Sequence, residues 1–431
     1  MKKLIGKEAI GKTSGASELC FSNELREWAH FDLPKRVVIN DLTLREGRQL
    51  EGSVLSVDEV VHIARLLEEL GVPMIQVGAF YQTNSRGSSW DYPYLQALGK
   101  AGLKIEMEAM GNHQQPPFTK KVILECLKRV LDSGLSFILC TALNDEIMDA
   151  VASASGGVIK GNKEALRDYE IDVGVTLCEY AKSQGRPMNV NLQDFMRCDF
   201  GFMERYIGAL VDAGVNIVEL DDIIAPAPPF VYQWTMNWVH KRFPKTRLGV
   251  HVHNDYGNAL NAVLASMQGG AEVLHCGING YGERAGHCDL GALVINLEYF
   301  YGIDTGINTE KLYEIATAIA DIMKQPIPTA WPLTGSQAFS HIHDWHWQYP
   351  DRPTLLTCVQ PEAVGGKPRP ILGEYMGRWG IRNRTKDVGG IGDIPDNKWD
   401  DVVEMLRYEM MWRKRPLSDD EFRRAVLRAL E

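Results

Sequence analysis

Val37–Gly52 reads VVINDLTLREGRQLEG. Its β-branched opening favours a buried strand, and its glycine-containing polar end favours a loop. Asp41, Arg45 and Glu46 fall at the junction. Two acids and a guanidinium at the end of a buried strand are strongly disfavoured by desolvation unless they are compensated. They either pair among themselves or bind something charged, and this stretch alone leaves that choice open.

Outward from there, Ser56 and Glu59 form a capping-box signature, and Val60, Ile63, Ala64, Leu67 and Leu70 share one helical face that Gly71 can stop. Pro73–Gly78 then reads as a second buried strand. The alternation continues with strand candidates at Lys104–Met110, Phe137–Ala142, Pro187–Asp194, Asn216–Asp222, Arg247–Asp255 and Glu272–Ile278. Helical segments separate most of them, at Lys120–Leu131, Asn162–Lys182, Met203–Ala213, Phe230–Arg242 and Ala259–Gln268. Eight strands in roughly 265 residues have the size and rhythm of an α/β protein of the (β/α)8 TIM-barrel type. A doubly wound open sheet is disfavoured, because no GxGxxG follows the first strand and eight repeats suit closure. In a barrel the strand C-termini build the active site. Arg45, Glu46, Gln76, Asp145, Asp194, Asp221, Asp222 and the run His251–Asp255 all fall at such ends.

The chain has 431 residues, enough for one barrel of about 250 residues plus smaller units. Residues 1–35 read as an N-terminal extension with a helical candidate at Ser22–His30, 36–307 as the barrel, and 308–431 as an appended, mainly helical C-terminal region. That region holds a helix at Glu310–Met323, a Pro-rich break QPIPTAWP and the run AFSHIHDWHWQYP. An irregular stretch to Pro395 follows, then helices at Lys398–Trp412 and Ser418–Leu430. A net charge of −10 without a long Lys/Arg block argues against nucleic-acid binding. Eight scattered cysteines without a CxxC pair, no signal-peptide core and no membrane span point to a reducing cytoplasm.

In RLGVHVHND, strand alternation turns His251, His253 and Asp255 one way and Val250 and Val252 the other. Two histidines at i and i+2 can close on one metal, with a carboxylate completing the set. Glu46 can supply it, because only the eighth strand separates the first and seventh in a closed barrel. Open coordination positions mark a catalytic site. An isolated HxH reads first as two hydrogen-bonded histidines, with Asp255 as a helix cap, and only the other stretches shift that balance. In NGYGERAGHCDLGAL (Asn279–Leu293), glycines permit close backbone approach and Glu283 and Arg284 add charge, although a generic glycine-rich turn reads the same. Cys276 and Cys288, which bracket it, read as buried apolar thiols.

Together, LTLREG, HVHND and GYGERAG after the first, seventh and eighth strands resemble the DRE-TIM metallolyase superfamily. The best match within it is the 2-isopropylmalate and homocitrate synthase branch, with Re-citrate synthase-like members. AFSHIHDWH is similar to that branch's subdomain motif, and PEAVGGKPRPILGEYMGRWGI to the segment after it. The resemblance implies condensation of acetyl-CoA with a 2-oxo acid on a divalent metal (Mg, Mn or Zn). It makes Glu46, His251 and His253 metal ligands, Arg45 the stabiliser of the developing oxyanion and His346 the catalytic base, with Asp194 also at the catalytic centre. Gln49, Gln76, Asp145, Asp222, Glu283, Arg284 and His341 fall on substrate-facing positions, and Asn254 lies near the metal. The resemblance also implies a homodimer whose subdomain covers the partner's barrel. Lyases of the superfamily lack that subdomain, so condensation is favoured over the alternatives of a lyase or aldolase, or of a non-catalytic metal- and acid-binding relative. LREG in place of LRDG leans towards the homocitrate group. Departures fall around the 2-oxo acid pocket. Asp145 stands for a histidine, Asp222 for a threonine, Ile224 for a glycine, Gln193 for a glutamate and His287 for an asparagine.

Overall fold

The computed structural model describes residues 36–80, 91–112, 119–349, 359–367 and 369–431, together with 2–3, 30–31 and 33–34. The helix expected at Ser22–His30 lies, except for His30, outside the described residues. Eight parallel strands close a barrel. They are β1 (Val38–Asp41), β2 (Met74–Phe80), β3 (Glu106–Asn112), β4 (Ser136–Ala142), β5 (Met188–Gln193), β6 (Ile217–Asp222), β7 (Arg247–Val252) and β8 (Val273–Cys276). Closure is made by β8, which pairs with both β7 and β1.

The surrounding helices are α1 (Val57–Leu70), α2 (Tyr92–Lys100), α3 (Lys120–Asp132), α4 (Asp145–Ala154), α5 (Lys163–Ser183), α6 (Phe200–Ala213), α7 (Pro229–Arg242), α8 (Ala259–Gln268) and α9 (Leu290–Tyr299). On α1, Ser56 and Glu59 form the full capping box, Gly71 caps the C-terminus with φ 89°, and the five predicted apolar positions are buried. Three of these barrel helices escape sequence reading. The short α2 begins next to a proline, α4 buries only Met148, and α9 is buried on nearly every side and so has no amphipathic stripe.

The chain divides into two compact units, one reaching Pro326 and one running from Ile327 to Glu431. The helix α10 (Leu312–Met323) belongs to the barrel unit, although its sequence falls in the region expected to begin at residue 308. It is anchored from the segment before it, where Asn308 donates its backbone N–H to Leu70 O at 2.8 Å and Lys311 pairs with Glu69. The second unit contains the short parallel pair β9 (Ser340–His341) and β10 (Arg369–Pro370), then α11 (Arg378–Val388), α12 (Trp399–Arg413) and α13 (Asp419–Leu430). Ile381, Trp399, Val402, Leu406, Phe422 and Val426 form its core, and Ser418 with Glu421 makes the predicted capping box.

Inside the barrel one layer is apolar, formed by Val38, Met74, Ile217 and Val273. Two residues further along, the same faces turn polar. Glu108 accepts from Asn40 Nδ2 at 2.8 Å, Gln76 Nε2 at 3.0 Å and Asn189 Nδ2 at 2.8 Å, and His275 Nε2 lies 3.0 Å from Glu219 Oε1. All six are almost completely buried. Burial therefore drives the acids upward, Glu108 to about 7 and Glu219 to about 8. A polar barrel interior of this kind supports what stands at the strand C-termini.

Candidate metal centre

The loop after β1 is fixed before it contributes any chemistry. Asp41 accepts from Thr43 N at 2.9 Å, Thr43 Oγ1 at 3.0 Å and Ile278 N at 3.1 Å, tying the β1 and β8 loops together. Arg45 N and Glu46 N both donate to Leu42 O, at 2.9 and 2.7 Å, while Leu42 and Leu44 are buried beneath. Asp41 is thus the structural acid of the opening stretch, and its burial lifts its pKa to about 7. Arg45 and Glu46 are left facing the barrel mouth.

Their partners are specific. Arg45 Nε donates to Gln76 Oε1 at 2.5 Å, and Arg45 Nη1 forms an ion pair with Glu46 Oε1. Gln49 Nε2 donates to Glu46 Oε2 at 2.7 Å. Arg45 Nη2 is buried and has no hydrogen-bond partner among the described residues. On the other side, His251 is the penultimate residue of β7 and His253 lies just past its end, where it bridges antiparallel to His287. The loop after β8 holds that stretch through Asn254 N and Gly286 O, 2.8 Å apart. Gly286 has φ 80°, and a Cβ there would stand 2.1 Å from Gly280 O, so the turn requires glycine.

Donor atoms of Glu46, His251 and His253 all lie within 4.8 Å of one another, and the three side chains are buried. His251 Nε2 and His253 Nδ1 are buried without a partner among the described residues. Buried polar atoms are normally satisfied, and two imidazoles with a carboxylate are a common donor set for divalent metals. The residues present fit a metal. Burial first, then the neighbouring His253 and other cations, hold the His251 pKa well below its ordinary value. Burial with Arg284 and Arg45 brings His253 to about 4. Both rings are therefore neutral near neutral pH, as ligands must be.

Other predicted site residues are tied elsewhere. Asp145 starts α4, accepts from Arg167 Nε at 2.7 Å and Nη2 at 2.8 Å, and pairs with Lys163 at 2.5 Å. Partial burial raises its pKa, but those hydrogen bonds outweigh it and leave the carboxyl low. Asp194 is buried at φ 63°, held by Arg197 and by Asn144 Nδ2 at 2.8 Å. Asp222 accepts from Tyr232 Oη and from Ala225 N at 3.0 Å, which fastens its charge to local donors. Arg284 makes a two-point pair with Asp255 at 2.9 and 3.0 Å and also pairs with Glu283. Asp255 is therefore neither a fourth member of the metal group nor a cap. The α8 N-terminus is instead met by Asn254 Oδ1, 3.1 Å from Ala259 N.

In the second unit, His341 Nδ1 lies 3.0 Å from His346 Nδ1, and Trp347 Nε1 donates to His341 O at 2.9 Å. Burial, with His343 beside it, lowers the pKa of His346.

Sequence reading missed Asn40, Glu108, Asn189, Glu219 and His275. Polar residues recurring at period two inside otherwise apolar strand runs, as in Glu219 with Asp221, were the available signal.

The sequence profile of the HMGL-like family matches residues 36–319, and the chain belongs to that family. The 2-isopropylmalate synthase of Methanocaldococcus jannaschii is 30% identical over 383 residues, which cover 88% of this chain and 69% of that protein. The 2-isopropylmalate synthase of Sulfolobus acidocaldarius is 28% identical over 356 residues, covering 82% and 86%. Among solved structures, hydroxymethylglutaryl-CoA lyase from Pseudomonas aeruginosa aligns with a TM-score of 0.55 at 18% identity, over 68% of this chain and 95% of that one. That last likeness concerns the barrel fold.

Proposed function

We propose that the chain is a divalent-metal-dependent acyltransferase that joins the methyl carbon of an acyl-CoA, acetyl-CoA in the first instance, to the carbonyl carbon of a 2-oxo acid, after which water hydrolyses the thioester and frees the CoA thiol. The observation that carries this reading is the guanidinium of Arg45. Gln76 fixes Nε, Glu46 engages Nη1, and Nη2 is buried without a partner among the described residues, beside the Glu46–His251–His253 group. A donor so oriented suits an oxygen that gains charge during reaction, and one such donor typically contributes about 3–4 kcal/mol. Glu46, His251 and His253 would hold the ion, which would supply Lewis-acid polarisation of the 2-oxo acid carbonyl. Its identity among Mg, Mn and Zn is decided by reconstitution with each. Gln49 orients Glu46, and Gln76 orients Arg45.

His346 takes the methyl proton of the acyl group. With His346 donating Nδ1–H to His341 Nδ1, its Nε2 carries the lone pair that accepts the proton. Because His346 belongs to the separate C-terminal unit, the reading includes a homodimer with sites completed in trans. Mixing inactive Arg45→Ala and His346→Ala proteins then restores part of the activity, whereas a monomer by light scattering at micromolar concentration rules that assembly out. The substrate is assigned to the 2-oxo acid class alone, since Asp222 and Asp145 are tied to protein partners. Cytoplasmic location is part of the same reading; the six described cysteines are free, and none of the described helices is long and apolar enough to cross a membrane. The test is a screen of 2-oxo acids with acetyl-CoA, following free thiol. Release dependent on one 2-oxo acid supports condensation. Absence of release with every acid, together with cleavage of a hydroxy acid, would replace it by a lyase.

A further inference from the structure

We infer that the buried pair Glu219–His275 is a positioning device that sets the metal-binding tautomer of His251. This rests on the reading of Glu46, His251 and His253 as metal ligands. The geometry runs as a line through the barrel interior. His275 Nε2 lies 3.0 Å from Glu219 Oε1, and His275 Nδ1 lies 3.4 Å from His251 Nδ1. The outer nitrogen of His251, Nε2, is the one without a hydrogen-bond partner among the described residues.

Only one proton arrangement lets that line end on a metal. His251 ligates through the Nε2 lone pair, so its proton stands on Nδ1 and is donated to His275 Nδ1. His275 must then accept at Nδ1 and carry its own proton on Nε2, facing Glu219. Asn40 Nδ2 also approaches that nitrogen, at 3.3 Å, where it can only donate; its shorter bond is to Glu108 Oε1 at 2.8 Å, and the closer approach of Glu219 Oε1, at 3.0 Å, favours a proton on His275 Nε2. Glu219 therefore fixes His275, and His275 fixes His251. Ligating histidines generally donate their second N–H to an acceptor that orients the ring, and here a second imidazole interposes before the carboxylate.

The fold makes room for this carboxylate. Glu219 is paired in register with Gly249, and a Cβ on Gly249 would come within 2.7 Å of Glu219 Cγ. Any other residue at 249 would push the carboxylate off its line. The rival use of the cluster is a second metal site, because donor atoms of Glu108, Glu219 and His275 also lie within 4.8 Å of one another. That use excludes the first. A metal on His275 Nε2 would place its proton on Nδ1, His251 would have to accept at Nδ1, and the His251 proton would then block Nε2. Among the described residues both Glu219 oxygens lack a hydrogen bond, as does His251 Nε2; the amide donors on Glu108 and the 3.0 Å approach of His275 Nε2 to Glu219 Oε1 favour the positioning role.

The test is metal affinity, measured by competition with a chromophoric chelator using Zn and Mn. His275→Phe, folded by circular dichroism, is expected to bind roughly 10–100-fold more weakly, the usual effect of losing such a partner. His275→Gln, whose Oε1 can accept from His251, should recover most of the affinity. In ¹⁵N-histidine spectra of the parent protein, His275 should be protonated at Nε2 and His251 at Nδ1, a readout that survives if the phenylalanine variant does not fold. Parental affinity in His275→Phe, the reverse tautomers, or a second bound metal lost in Glu219→Gln would each overturn the inference. His251→Ala in the same titration separates the two levels. If it binds metal as the parent does, the metal-site reading fails; if it loses binding while His275→Phe keeps it, only the positioning role fails.

Discussion

The barrel and the C-terminal unit hold the histidines of the proposed site in opposite ways. His251 and His253 are 1% and 3% exposed, and both are fixed by strand pairing or a β-bridge over a polar interior. His341 and His346 stand on a two-residue strand and a short 3₁₀ turn, partly exposed, while the apolar core of their unit is built mainly by α12 and α13. Groups that must present fixed charge and ligands gain from rigid strands. A base that must reach a methyl group and then release product can stand on a lightly built segment. On the proposed reading, the contrast gives electrostatics to the barrel and proton transfer to the appended unit.

Replacing His251 tests the barrel half and should have the largest effect. His251→Ala should lose both metal binding and turnover, read by chelator competition and thiol release; retention of both breaks the contrast. His346→Ala should lower turnover by about 10²–10⁴-fold, the range for a general base. It should also slow deuterium exchange into the acetyl-CoA methyl group while leaving metal and 2-oxo acid binding at the parental level. Exchange as fast as the parent's would remove His346 as the base. Arg45→Ala should lower turnover by roughly 10²–10³-fold, the scale of one missing oxyanion donor. Arg45→Lys should not rescue it, because an ammonium cannot reach Gln76, Glu46 and the substrate from one planar fork. Rescue by lysine would reduce the role of Arg45 to charge alone.

The smallest effect is on stability and concerns the polar interior. Burial, reinforced by charge on Glu219, raises Glu108 from its ordinary 4.5 to about 7. The folded chain therefore keeps a proton that the unfolded chain releases between those values. This contribution to stability is fully present below about pH 4.5 and declines as pH rises through about 7. Glu108→Gln cannot ionise, so its deficit against the parent should shrink between about pH 5 and 8, by about 1–3 kcal/mol in thermal or denaturant unfolding. A deficit that does not change with pH would contradict the burial of an ionisable acid there.

The barrel was legible because its cues repeat locally. The Ser56–Glu59 capping box and the α1 stripe ending at Gly71 each have one dominant structural meaning, while the i, i+2 spacing of His251 and His253 gained a metal meaning only beside the other loop motifs. The nearness of Glu46 to those histidines followed from closure alone. Side-chain commitments were not legible, because they depend on distant partners. Asp145 and Asp194 look like free acids in sequence, yet Arg167 and Arg197 hold them. The Glu108 network joins four strands and leaves no local signature beyond its period of two. The appended unit offered little periodicity between Pro326 and Pro395, and α11, whose only buried residues are Gly380 and Ile381, went unread.

The most direct test of the central claim is to strip the protein with chelator and titrate one divalent metal back, following bound metal and 2-oxo acid-dependent thiol release from acetyl-CoA in parallel. The account predicts no turnover in the stripped protein and recovery in proportion to bound metal, saturating near about one ion per chain. Full turnover in metal-free protein would contradict it.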